Sequence, residues 1–168
     1  MREKFLVATY HFSIEVYVTK VSKVGVTAMT GLAAVGIGGT TLHSFMGIGT
    51  GSDYAVELLT KVKGKEDARQ RLESTEILLI DEVSMLSARL FDKVEFLFRA
   101  IKKSDKPFGG IQLLLVGDFY QLGPMGQAEA SDGRVEEIPA CFESSFGVVY
   151  RPERRPDNKL QTRRIKSD

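Results

Sequence analysis

The chain has 168 residues, 43% hydrophobic and 27% charged, with a formal net charge of +1. That is the size and balance of one ordinary globular domain, and its charge alone points to no partner. A single cysteine, Cys141, excludes an internal disulfide and suits a reducing compartment. No apolar run reaches the ~20 residues of a membrane span. The first eight residues open like a secretory leader, but His11, Ser13 and Glu15 interrupt the apolar stretch too early for one.

From the N-terminus, residues 5–18 alternate. Phe12, Ile14, Val16 and Val18 face one way and His11, Ser13, Glu15 and Tyr17 the other, which predicts a strand. Val24–Ala28 reads as a short buried strand, followed by Met29-Thr30-Gly31, and Leu32–Val35 as a short helix. Gly36–Phe45 is rich in glycine and threonine and predicts a loop running into a helical turn. Residues 50–75 are polar and predict a surface excursion with one helix near Lys65–Leu72. Ile77–Ile80 is continuous and apolar, as a buried parallel strand is. Ser87 is placed to cap a helix running to about Lys103, with Leu90, Phe91, Val94, Leu97, Phe98 and Ile101 as its apolar stripe. Pro107-Phe108-Gly109-Gly110 ends that unit, and Ile111–Val116 is the next buried strand.

Strand, helix, strand, with polar residues at the strand ends, predicts an α/β fold. Its parallel sheet carries helices on both faces and a ligand at the carboxyl edge. Beyond about Met125 the pattern fades. Residues 151–168 hold seven Lys/Arg, three Asp/Glu and two prolines, and this basic tail is expected to be disordered.

Three segments carry chemistry. Leu78-Leu79-Ile80-Asp81-Glu82 ends an apolar run in two adjacent carboxylates, the pattern of a Walker-B element. There Asp81 holds Mg²⁺ through water and Glu82 orients the attacking water of a nucleotide hydrolase. The same residues suit a strand that ends in a solvated acidic turn. Gly117-Asp118-Phe119-Tyr120-Gln121 brings a neutral amide, Gln121, to the sheet edge, where it can sense a γ-phosphate, although Gly-Asp also favours a plain β-turn. Thr27–Gly31 and Gly38–Phe45 combine small hydroxyls, backbone amides, His43 and Phe45. These suit phosphate contacts and base stacking on single-stranded nucleic acid, or an ordinary glycine-rich loop. No G-x-x-x-x-G-K-[ST] phosphate cradle occurs in the 168 residues.

Taken together and in order, these segments resemble motifs Ia, II and III of the Pif family of DNA helicases. Leu90–Glu95 and Lys106–Gln112 resemble that family's signature segment between II and III. The resemblance spans roughly residues 24–124. It implies a RecA-like, P-loop NTPase-type sheet and an ATP- and Mg²⁺-dependent motor moving 5′-to-3′ on single-stranded DNA. It also implies unwinding of forked or G-quadruplex DNA in telomere maintenance, DNA repair and recombination. A monomer in the nucleus or mitochondrion, with no membrane partner, fits that family. Carried over by position, Asp81 is the metal ligand, Glu82 and Gln121 are catalytic and nucleotide-contacting, and Thr30, Gly31, Thr41, His43 and Phe45 lie along the DNA track.

The departures set further expectations. Residues 1–23 hold no P-loop where the family has one, Gly123 replaces the first of two prolines, and the pattern stops after Ser145. The expected organisation is a divergent segment over 1–23, a partial first RecA-like domain over 24–128, and the basic tail over 129–168. An incomplete motor of this kind is expected to be inactive alone. The alternative is a non-catalytic single-stranded DNA-binding fragment or a vestigial paralogue.

Overall fold

The computed structural model describes residues 3–9, 12–18, 23–118, 122–124, 128–129, 135–136 and 141. Strands β1 (Glu3–Thr9) and β2 (Phe12–Val18) pair antiparallel, with Thr9 opposite Phe12. The single strand expected over 5–18 is therefore a hairpin. Alternation continues across a reversal, so periodicity alone does not reveal the turn.

Next come β3 (Val24–Ala28), α1 (Gly31–Gly36), β4 (Thr40–Thr41), α2 (Leu42–Met46), α3 (Ala55–Lys63), α4 (Glu66–Ser74), β5 (Ile77–Asp81), α5 (Ala88–Lys102) and β6 (Gln112–Leu115). β4, β3, β5 and β6 lie side by side in that order as a parallel sheet. Short strands β7 (Ala128–Glu129) and β8 (Val135–Glu136) form a separate antiparallel ribbon. Residues 151–168, expected to be disordered, lie outside the described residues.

Burial explains why the apolar runs become strands. Leu78, Leu79 and Ile80 of β5 are all at most 1% exposed, as a central parallel strand requires. Leu78 and Ile80 join the cluster formed by Leu58 and Val62 of α3, Leu72 of α4, and Phe91, Val94, Leu97 and Phe98 of α5. The excursion over 50–75 thus holds two helices where the sequence predicted one. Exposed Tyr54 and Val56 blur the apolar stripe of α3, which only Leu58 and Val62 bury. Ser87 caps α5 as expected, its hydroxyl accepting from Leu90 N at 3.2 Å.

The signature segment is a buttress for α5. Phe108 is buried against Phe91, with ring centroids 4.9 Å apart. Its backbone N–H donates to the Glu95 carboxylate at 3.3 Å. Gly109 follows at φ 64°, and a Cβ there would come 2.8 Å from Phe98 O, so this turn admits only glycine. Among the described residues no helix is long and apolar enough to cross a membrane.

Candidate active site

The parallel register sets the site. Ala28 is opposite Asp81 on one side and Thr41 on the other, so Thr41, Ala28 and Asp81 form one row at the carboxyl edge. Two strand spacings separate the outer members, about 10 Å. Ligands of open α/β sheets bind at this edge.

Asp81 is the last residue of β5 and is 5% exposed. Its carbonyl accepts from Met29 N at 3.1 Å, and its Oδ1 accepts from Glu82 N at 2.8 Å. Burial pushes its pKa up, and the neighbouring Glu82 charge adds to this against that backbone hydrogen bond. A cation would reverse the balance. A lone buried carboxylate at a strand end fits Mg²⁺ held through water. Among the described residues no group of three or more His, Cys, Asp or Glu gathers to cage a metal. For ATP itself the described residues supply no glycine–lysine cradle.

Glu82 leaves the strand in the left-handed region, at φ 54° and ψ 41°. A non-glycine residue is strained there by about 1 kcal/mol or more. Two ties hold the turn: Val83 N donates to Val116 O at 3.0 Å and Met85 N to Glu82 O at 3.0 Å. Cys141, buried, lies below it with Sγ 3.7 Å from Val83 O. The Glu82 side chain accepts from the Thr30 hydroxyl at 2.7 Å, across 52 residues of sequence.

Thr30 also caps α1, its Oγ1 accepting from Ala33 N at 3.3 Å, and Gly31 opens that helix in an exposed position. Thr41 caps α2 in the same way, accepting from Ser44 N at 3.3 Å. His43 is half-buried on α2, and burial lowers its pKa. Thr30, Gly31, Asp81 and Glu82 thus meet at one end of the sheet, with Thr41 on the same edge.

Phe45 stands apart from them. It is 8% exposed, packs against Gly25, and is covered by the Arg71 guanidinium 5.2 Å from its centroid. Gln121 lies outside the described residues.

Arg71 escaped sequence reasoning, and Thr27, grouped there with the hydroxyls suited to phosphate, is turned into the sheet. Arg71 donates to Phe45 O at 2.7 Å and Ser44 O at 3.2 Å, fixing the end of α2. Thr27, fully buried, donates to Leu79 O at 2.6 Å and locks β3 to β5. Both partners are distant in sequence, so no local signal marks either.

The sequence model of the PIF1-like helicase family matches residues 5–146, reaching past both ends of the span read from the motifs. ATP-dependent DNA helicase PIF1 of Emericella nidulans is 45% identical over 124 residues, which cover 74% of this chain and 17% of that protein. ATP-dependent DNA helicase RRM3 of Saccharomyces cerevisiae is 41% identical over 145 residues, 82% of this chain and 20% of that protein. The chain therefore spans about a fifth of the length of these curated relatives. The crystal structure of Pif1 helicase from Candida albicans superposes with a TM-score of 0.68 at 39% identity, covering 84% of this chain and 28% of that one. A Bacteroides Pif1 helicase in complex with ADP-AlF3 and single-stranded DNA gives a TM-score of 0.52 at 32% identity, covering 66% and 25%. With the motif order, the parallel sheet and these matches in agreement, the chain belongs to the PIF1-like helicase family.

Proposed function

We propose that this chain is the Walker-B half of the first motor domain of an ATP-dependent DNA helicase, bearing the metal carboxylate, the water-orienting carboxylate and part of the single-stranded DNA track. The observation that carries the reading is the convergence of Asp81, Glu82 and Thr30 at one sheet edge. Asp81 would hold Mg²⁺ through water, and the ion would neutralise phosphate charge. Glu82 would orient the hydrolytic water, Gln121 would contact the γ-phosphate, and Thr30, Gly31, Thr41 and His43 would line the strand. Relatives carry names of ATP-dependent DNA helicases, and a neighbour was solved with nucleotide and single-stranded DNA, which supports ATP and DNA as ligands.

On this reading the motor moves 5′-to-3′ as a monomer and opens forked or G-quadruplex DNA. It serves telomere maintenance, DNA repair and recombination in the nucleus or mitochondrion. The 168 residues carry no Gly-Lys-Ser/Thr cradle, so by themselves they do not turn over ATP.

A graft tests the reading. Residues 24–118 replace their counterparts in Candida albicans Pif1, and DNA-stimulated ATPase and unwinding are measured. The graft should keep both, and Glu82→Gln within it should lower ATP turnover by about 10²–10⁴-fold. A folded graft in which Glu82→Gln changes nothing would sink the proposal.

A further inference from the structure

The Thr30 hydroxyl has one proton and two lone pairs. A lone pair caps α1 at Ala33 N, and the proton goes to Glu82 Oε2 at 2.7 Å. Capping needs only the lone pair, so the donated proton is a separate interaction. The backbone beneath is fixed by Met29 N on Asp81 O at 3.1 Å and Glu82 N on Asp81 Oδ1 at 2.8 Å. The residue before Thr30 is thereby tied to the residue before Glu82.

We propose that Thr30 is a positioning residue that couples DNA occupancy to the Glu82 carboxylate. Without DNA, the hydroxyl proton is donated to Glu82 Oε2 and holds the carboxylate turned toward Thr30. With a strand on the track, a DNA phosphate competes for the same proton, and Glu82 is released toward water. One proton cannot serve both acceptors, and a charge-assisted hydrogen bond is strong enough to matter on either side. The coupling is reciprocal: whatever weakens the acceptor at Glu82 must tighten DNA. This rests on the proposed helicase reading, and specifically on Thr30 facing the DNA.

The test uses the whole 168-residue chain and a fluorescent oligo(dT), with binding read by anisotropy. Glu82→Gln replaces the charged acceptor with a neutral one. It should tighten oligo(dT) binding by about fivefold or more, a typical coupling. The same gain should appear in the Thr30→Ser background and vanish in the Thr30→Val background. Loss of negative charge acts equally in every background and cancels in the comparison. A cap without coupling gives equal gains in the Thr30→Val and wild-type backgrounds, which overturns the proposal. In case Thr30→Val melts early, the Glu82 carboxylate ¹³C shift in the unsubstituted chain is followed on adding oligo(dT). It should move on saturation, and a fixed shift on a DNA-bound chain also overturns the proposal. If the unsubstituted chain shows no salt-sensitive oligo(dT) binding, the DNA reading itself fails and this inference falls with it.

Discussion

Gly117 abuts the turn that follows the carboxylate pair: a Cβ on Gly117 would lie 2.8 Å from Val83 N and 3.1 Å from Val83 Cγ1. The exit of β6 and the Glu82 turn are thus in backbone contact, clamped by Val83 N on Val116 O at 3.0 Å. Gly117→Ala should separate them and destabilise the chain by about 1–3 kcal/mol. Chemical denaturation measures this, and an unchanged midpoint would contradict the close approach.

Glu95 should give the chain a pH-sensitive stability. It is 1% exposed, and burial raises its pKa, aided by Asp92 and opposed by the Phe108 N–H and Arg99. A raised folded-state pKa means the native state binds the proton more tightly than the unfolded chain. The stabilisation is complete below the ordinary glutamate value and is lost as pH rises through the folded one. Glu95→Gln keeps the acceptor for Phe108 N but no longer ionises. Its stability should not fall over that window, whereas Glu95→Ala should lose about 1–3 kcal/mol by orphaning the N–H. Denaturation midpoints across mildly acidic to neutral pH check both.

Arg71 holds α2 by its carbonyls and covers Phe45. Arg71→Met keeps the stem but loses the hydrogen bonds and the cation–π contact, at about 1–2 kcal/mol. Lysine should rescue little, since it lacks the planar fork. Hydrogen exchange at residues 42–48 should quicken, and unchanged protection there would refute this role.

The 168-residue chain alone should show no DNA-stimulated ATP hydrolysis, measured as phosphate release, above a Glu82→Gln control. Turnover that depends on Glu82 would mean the phosphates are held by residues other than a glycine–lysine loop.

Three of the four strands of the central sheet were legible because they declare themselves locally as short apolar runs, Val24–Ala28, Ile77–Asp81 and Gln112–Leu115, whereas the two-residue β4, Thr40–Thr41, lay in a stretch expected to be loop. The carboxylate pair was legible for the same reason. What sequence hid is non-local. Thr30 and Glu82 meet across 52 residues. Phe45 follows a stretch rich in glycine and threonine, but on α2 its ring packs into the core between a glycine of β3 and an arginine of α4. Residue type suggested a platform where packing made a filler.

The row Thr41, Ala28, Asp81 is joined by parallel ladders, and Met29 N on Asp81 O extends it by one more bond. Sliding one strand along another would break several of these bonds at once. The sheet edge is therefore a chassis with a fixed wheelbase of about 10 Å between Asp81 and Thr41. Any relative movement must arise at joints outside this row, or in side chains beside it such as that of Thr30.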